Sequence, residues 1–212
     1  MVPPMSESNG RKTNGLGEDL AFALREPAAP PDAVAELADA CVRFVERKLG
    51  VRLDYSPETL PLLDHYLLEA RAEVRDRPEL IPLLVNAAGA YFGEVVRRRV
   101  PSWWHMPTTD PTSWQIQAEP VYLWFEPVAM AYDALLGGER DEEGMMAKLE
   151  IEDEDRDALE QRLAELPAVD EDEFYALSTR LEVIDIAADV IKARMIESRL
   201  GEVVFTAQDY ET

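Results

Sequence analysis

Apolar side chains recur at helical spacing in three consecutive segments of the N-terminal half. In the first segment, residues 32–49, they lie three or four positions apart and stop before Gly50, a residue type that commonly follows a helix. The second segment begins near Ser56-Pro57, a typical helix start, and stops before Pro78. The third covers residues 79–99. The pattern predicts three amphipathic helices, with Cys41 as an inert thiol on the buried face of the first.

Two glycines interrupt the third predicted helix. Gly89 and Gly93 lie four positions apart, on one side of the helix. Glycine in a helix interior costs about 1 kcal/mol relative to alanine, so a stable helix that contains two needs a compensating reason. The spacing predicts that another backbone packs very closely against this side.

Residues 101–136 change in character, from helical periodicity to short aromatic and β-branched segments. Trp103-Trp104, residues 113–117 and residues 121–125 are separated by proline and threonine. Such segments favour strands, and they predict a small antiparallel sheet of two or three strands. Glu126-Pro127 then begins a fourth predicted helix, which ends before Gly137-Gly138.

Beyond Gly138 the pattern predicts helices over residues 141–149 and 153–166, then one long final helix. Val203-Val204-Phe205 is predicted to form a last short strand. The final helix carries apolar side chains alternately three and four positions apart, which is a heptad pattern; they are Phe174, Leu177, Leu181, Ile184, Ala188, Ile191 and Met195. We expect this seam to pack on the chain's own helices, and a homodimer or partner helix through residues 174–195 is the alternative.

These elements together predict an α+β protein that is predominantly helical. Its helices would pack on a small two- or three-stranded antiparallel sheet, and its C-terminal part would be acidic and helical. We divide the chain into a flexible leader (residues 1–30), an α+β domain (31–138) and an acidic helical extension (139–212) packed on or next to that domain.

Charge separates the two halves of this 212-residue chain, whose net charge is -22. Residues 1–106 hold 16 acidic and 13 basic side chains, whereas residues 107–212 hold 27 acidic and 8 basic ones. This balance excludes an electrostatic nucleic-acid binder and disfavours an anionic membrane as a partner. Charge or proline interrupts every apolar stretch, and no apolar stretch follows the first basic residues, so we expect no membrane span, no secretory signal and a cytoplasmic location.

An acidic half of this kind indicates either a solvated surface or a surface that meets a basic protein partner. The candidate partner-binding residues are the acidic side chains Glu142, Glu143, Asp153, Asp155, Asp170 and Asp172.

Motifs for common catalytic and metal chemistry are missing from the sequence. It has one cysteine, two histidines, and no zinc-protease, P-loop or serine-hydrolase motif. Asp153, Asp155 and Asp157 alternate as in a calcium loop, but Ala158 and Ala164 stand where that loop needs glycine and a bidentate acid. We therefore expect no catalytic residue, no metal and no cofactor.

One alternative is a pocket between the second and third helices and the tryptophan-rich hairpin. Its candidate residues are His65, Glu69, Glu94, Trp103, Trp104 and His105. If these groups converge, the protein is an enzyme or a small-molecule-binding module; the latter would use Trp114 and Trp124 as well. The competing interpretation makes Glu94 a structural partner of the arginines at residues 97–99 and makes the tryptophans core residues.

The run Gly89-Ala90-Tyr91-Phe92-Gly93-Glu94-Val95, followed by a tryptophan and a hairpin, resembles small bacterial proteins of unknown function that share a G-A-Y-x-G-E-V helix. The resemblance covers about residues 35–138 and implies an α+β domain without an assigned reaction. By analogy it points to adaptor-like or immunity-like roles.

These observations favour a non-catalytic interaction protein whose acidic C-terminal half contacts a partner.

Overall fold

The computed structural model describes residues 28–137 and 147–211. Within them the elements follow in the order α1 (Asp32–Leu49), α2 (Leu60–Asp76), α3 (Ile81–Arg99), β1 (Ser102–His105), β2 (Gln115–Ala118), β3 (Leu123–Phe125), α4 (Pro127–Leu136), β4 (Leu149–Ile151), α5 (Asp153–Ala164), α6 (Glu171–Tyr175) and α7 (Leu177–Glu197). The predicted class, α+β and predominantly helical, is confirmed. The predicted leader lies almost entirely outside the described residues.

Helix α1 begins after Pro31 and ends at Gly50, whose φ of +71° is left-handed and whose N–H donates to the Glu46 carbonyl. Its buried side chains face α3; they are Val34, Ala38, Cys41, Val42 and Val45. The predicted burial of Cys41 is confirmed, and this burial raises the pKa of its thiol. A thiol that stays protonated is a poor nucleophile.

Helix α3 lies at the centre of the protein, in contact with α1 and α4. With its leading turn it forms a 22-residue helix, Pro78–Arg99, that contains an 18-residue apolar window with a mean hydropathy of 1.2. By length and composition alone this helix could cross a membrane, but 61% of the apolar window is buried inside the protein. The core position of α3 therefore accounts for its apolar character.

The close approach predicted at the α3 glycines is present. A Cβ on Gly89 would lie 2.7 Å from the Cα of Val128, at the start of α4. A Cβ on Gly93 would lie 2.4 Å from the indole ring of Trp104. The backbone of α4 therefore packs closely against Gly89, as predicted, whereas a tryptophan ring packs against Gly93.

The sheet is an antiparallel meander in the order β1-β2-β3-β4. Trp104 pairs with Ile116, Ile116 with Phe125, and Phe125 with Leu149. The prediction of two or three strands was therefore one strand short. The missed strand β4 includes Leu149, where a helix over residues 141–149 was predicted. Residues 147–148 are irregular chain, and residues 141–146 of that helix lie outside the described residues. A strand of three residues is too short for a recognisable alternation of apolar and polar side chains in the sequence. Strand β4 forms because it pairs with β3.

The C-terminal part packs through α7, which contacts α2 and α5. The buried side chains of α7 are Leu177, Leu181, Ile184, Ala187 and Ile191. The heptad prediction differs at two positions: Phe174 belongs to α6 and is exposed, and Ala187 is buried where Ala188 was expected. Val203–Phe205 is irregular chain and not a strand, although the Phe205 N–H donates to the Glu119 carbonyl at 2.8 Å.

Candidate interaction surface

Residues 165–174 form a continuous exposed segment between α5 and α7, which we call the acidic strip. It carries five carboxylates and no basic side chain; the acids are Glu165, Asp170, Glu171, Asp172 and Glu173. Three large apolar side chains are also exposed: Leu166 at 41%, Val169 at 42% and Phe174 at 50%. The strip therefore presents acidic and apolar groups together.

Local sequence explains the shape of the strip. Helix α5 ends at Ala164, and Pro167 follows within three residues, where it favours an extended chain over a continued helix. Asp170 then begins the short helix α6, and its Oδ1 accepts a hydrogen bond from the Glu173 N–H at 2.9 Å. The carboxylates of α6 lie in its first turn, where the helix dipole favours negative charge.

Two polar side chains of α2 hold the strip and the start of α7 in place. Arg71 pairs with Asp172 and also donates to the Leu135 carbonyl at 2.9 Å and the Ala134 carbonyl at 3.1 Å. One guanidinium thereby satisfies carbonyls at the end of α4 and anchors α6.

Asp64 caps the N-terminus of α7 by accepting hydrogen bonds from its first N–H groups. Its Oδ1 accepts from the Leu177 N–H at 2.6 Å and its Oδ2 from the Ser178 N–H at 3.1 Å. Burial raises the pKa of Asp64, and these hydrogen bonds oppose the shift. A cavity of about 240 Å³, lined by Asp64, His65 and Arg71 among others, separates α2 from α6.

Phe174 is held by aromatic and cationic neighbours while half of it stays exposed. Its ring centroid lies 5.1 Å from that of Tyr175 in an edge-to-face arrangement. The guanidinium carbon of Arg180 lies 4.8 Å from the Phe174 centroid, within cation–π distance. Contacts with Tyr175 and Arg180 thus hold the Phe174 ring in place at the surface.

The acidic candidates from the sequence have different surroundings. Asp170 and Asp172 belong to the acidic strip. The Asp153 side chain is 98% exposed, 3.0 Å from the Arg156 Nε. Asp155 is buried and accepts from the Arg194 Nε at 2.6 Å, which joins α5 to α7, so we leave it out of the surface. Glu142 and Glu143 lie outside the described residues.

The pocket candidates make their contacts in separate places among the described residues. On the exposed side of α2, His65 Nε2 lies 3.4 Å from Glu69 Oε1, and Glu69 Oε2 lies 3.7 Å from Lys48 Nζ. In the core, Glu94 Oε1 accepts from the Trp104 indole N–H at 2.7 Å and from Arg97 Nη1 at 3.2 Å.

Trp103 and His105 alternate with Trp104 along β1 and therefore face the other side of the sheet. There the Trp103 indole N–H donates to Gln117 Oε1 at 3.0 Å, and its ring centroid lies 5.7 Å from that of Tyr210. No hydrogen bond or ion pair among the described residues joins these groups to His65 and Glu69. In residues 28–137 and 147–211, no cluster of three or more histidine, cysteine or acidic side chains could hold a metal ion.

Sequence reasoning missed the anchoring roles of Asp64 and Arg71. The available signal was their spacing: seven positions, two helical turns, places both on one side of α2. A sequence pattern does not show which carbonyls and N–H groups from distant elements will meet that side.

A family model described as a family of unknown function (DUF6278) matches residues 4–117, which is more than half of the chain. The chain belongs to this family. The match includes α1, α2, α3 and β1 and ends within β2, before the acidic strip. No curated protein and no solved structure matches the chain. Membership of this family assigns no activity to the chain.

Proposed function

We propose that this is a non-catalytic interaction protein, adaptor-like or immunity-like, whose acidic C-terminal part contacts a basic protein partner. The acidic strip is the observation that supports this function. It combines five carboxylates with exposed Leu166, Val169 and Phe174 in one segment that neighbouring helices hold in place.

Each component of the strip has a physical role in binding. Exposed aromatic side chains contribute strongly to protein interfaces when a partner removes them from water, and Phe174 is suited to that role. Carboxylates accelerate encounter with an oppositely charged surface and suppress wrong partners. Among the described residues Arg71 pairs with Asp172 and Arg162 with Glu165, whereas Glu171 and Glu173 have no ion-pair partner.

The same charge favours a different protein over a second copy of this chain. Residues 107–212 carry 27 acidic and 8 basic side chains, so two such surfaces would repel each other at contact. We propose a cytoplasmic location for the interaction, which agrees with a chain that has a single, free cysteine.

Affinity capture from a lysate of the source organism tests the proposal with three full-length proteins: wild type, a strip variant and a control variant. The strip variant combines Glu171→Gln, Glu173→Gln and Phe174→Ser. The control variant combines Asp157→Asn, Glu160→Gln and Val51→Ser, which removes the same charge and one exposed apolar side chain elsewhere. Truncation at residue 138 is unsuitable, because it would remove β4 and the buried side chains of α7.

We expect wild type and the control variant to retain one defined basic partner that is released by salt. The strip variant should retain at least about tenfold less of it. Equal retention by the strip variant, or a partner that salt does not release, would contradict the proposal. Circular dichroism and thermal unfolding of all three proteins establish that each one is folded.

A further inference from the structure

A groove of about 770 Å³ runs between α7, from Asp185 onward, and an opposite wall. That wall consists of residues 99–101, at the end of α3, and residues 119–121, between β2 and β3. We call this feature the α7 groove. It lies outside the acidic strip, and neither the strip nor the candidate pocket includes its residues.

The groove is lined largely by apolar groups, among them Val100, Val121 and Ala188. Ile196 and Val204 line the groove with 59% and 56% of their surface exposed, and Leu200 and Val203, which lie near them along the chain, are exposed as well. Ten large apolar side chains are exposed among the described residues, and four of them lie in this short stretch, residues 196–204. Exposed apolar side chains concentrated at one place indicate a surface that another molecule covers.

The charged groups that line the groove are acidic on balance. Asp185 and Asp189 lie one turn apart on α7, and Glu119 lies on the opposite wall. Arg99 donates to Asp185 at 2.6 Å, and Lys192 is the other lining cation. Because Arg99 already pairs with Asp185, Asp189 and Glu119 are the carboxylates that complement a ligand with lysine or arginine beside apolar side chains.

The hydrogen bonds of the C-terminal residues hold the groove open in one shape. After α7, Arg199 adopts a φ of +63°, and the Leu200 N–H donates to the Met195 carbonyl at 2.7 Å. The Phe205 N–H then bonds to the Glu119 carbonyl on the opposite wall at 2.8 Å.

Tyr210 fixes the end of this segment. Its hydroxyl donates to the Ala118 carbonyl at 2.7 Å, and its ring stacks on Tyr122 with centroids 4.7 Å apart. A binding surface that is already ordered loses less entropy when its ligand arrives.

The wall also indicates how a peptide would bind. Pro101 and Pro120 carry no N–H, so the wall is poorly suited to the backbone ladder of an added strand. An amphipathic helix binds through side chains instead, with its apolar side in a groove and its charges at the rim.

We infer that the α7 groove is the docking site for a basic amphipathic helix of the partner protein. This inference rests on the proposed function and adds the place and the chemistry of the contact. A second copy of this chain fits less well, because the exposed side of α7 carries Glu182 and Asp189.

A peptide titration tests the inference on the full-length protein. The probe is a fluorescein-labelled amphipathic helical peptide of leucine and lysine, and the reference is a peptide of the same composition in shuffled order. Fluorescence anisotropy measures the affinity of each. The groove variant combines Ile196→Ser and Val204→Ser, and the control variant combines Val51→Ser and Leu83→Ser, which are also exposed.

We expect the amphipathic peptide to bind wild type at least about tenfold more tightly than the shuffled peptide. The groove variant should lose about tenfold in affinity, while the control variant stays within about twofold of wild type. Asp189→Asn should reduce the dependence of the affinity on salt. Equal affinity for both peptides, or an unchanged affinity of the groove variant, would overturn the inference.

The strip variant separates this inference from the proposed function. If the groove variant binds the peptide normally and the strip variant does not, the groove inference fails. The proposed function is judged separately, by retention of the cellular partner. Loss of that partner by the strip variant but not by the groove variant supports the proposed function and overturns the groove.

Discussion

Glu94 shows how the protein accommodates a buried charge. Its Oε1 accepts from both Arg97 and Trp104, and Arg97 Nη2 donates in turn to the Ala28 carbonyl at 2.8 Å. One carboxylate therefore links α3 to β1 and, through Arg97, to the segment before α1. These contacts favour a structural role for Glu94 over a catalytic one, because its carboxylate already accepts hydrogen bonds from two buried or partly buried side chains.

Removal of this carboxylate should leave the buried Arg97 without a counter-charge. We expect Glu94→Ala to lower the free energy of unfolding by about 3–5 kcal/mol. Glu69→Ala, at an exposed pair with His65, should lower it by less than about 1 kcal/mol. Urea denaturation of both variants gives these values, and equal losses would refute the structural role of Glu94.

Gly93 offers a second test at the same place. An alanine Cβ would meet the Trp104 ring at 2.4 Å, so either the ring or α3 has to shift. We expect Gly93→Ala to destabilise the protein by about 1–3 kcal/mol despite the better helix propensity of alanine. Gly201→Ala is the comparison at the surface, because its Cβ would lie 2.9 Å from Cγ1 of the exposed Ile196 side chain and not against an aromatic ring. A stabilised Gly93→Ala variant would contradict the packing described for this position.

At the scale of elements, the sequence was most informative where local signals are strong. Gly50 ends α1, and Pro31 and Pro127 lie at the starts of helices, because these residues act on their own backbone. Strand β4 and the irregular Val203–Phe205 could not be predicted in this way. β-Branched residues form a strand only where a partner strand is available, and pairing is decided by the whole fold.

The heptad prediction for α7 failed at Ala188, which is partly buried, whereas its neighbour Ala187 is fully buried. A heptad pattern describes one contact seam along a helix. Helix α7 contacts both α2 and α5, so it buries a wider surface than one seam.

A pair of substitutions within α7 tests this packing. Ile184 is buried, whereas Ile196 is exposed and lines the α7 groove. We expect Ile184→Ala to reduce the free energy of unfolding by about 2–5 kcal/mol, and Ile196→Ala by less than about 1 kcal/mol. The thermal unfolding of both variants, measured at several protein concentrations, checks the prediction. A cost for Ile184→Ala that depends on protein concentration would mean that the side chain is buried by another copy.

Asp64 makes the capping of α7 dependent on pH. Burial raises its pKa above the value near 3.9 of an unfolded chain, so the folded protein binds this proton more tightly. The part of the stability that comes from this tighter proton binding is therefore fully present below about pH 3.9 and is lost as the pH rises through the folded pKa, whereas the hydrogen bonds to Leu177 and Ser178 remain.

Compared with Asp64→Asn, wild type should lose relative stability as the pH rises through that window. Urea denaturation of both proteins at a series of pH values measures the difference, and a relative stability that rises with pH would contradict the assignment. Asp64→Ala, which removes both acceptors, should cost about 1–3 kcal/mol at neutral pH.

At the scale of the whole molecule, the family match and the surface features lie in different parts of the chain. The match ends at residue 117, whereas the acidic strip and most of the α7 groove come from residues beyond it. The C-terminal part is nevertheless built into the fold, because β4 extends the sheet and Asp64 and Arg71 hold α7 and α6.

Composition predicted an acidic partner surface but could not locate it. The charge count treats Asp155 and Asp170 alike, whereas one is buried against Arg194 and the other begins an exposed helix. Burial depends on which elements pack together. The exposure of Phe174 and the formation of the α7 groove depend on the same packing. The tryptophan-rich segment was ambiguous for the same reason, since a ring in a core and a ring in a pocket have the same sequence pattern.

Amide hydrogen exchange of the full-length protein, with and without the partner that it captures, tests directly whether the acidic strip is the contact surface. We expect protection on binding at residues 165–174, with little change in residues 60–105, where the candidate pocket residues lie. Protection confined to residues 60–105, with none in the acidic strip, would contradict it.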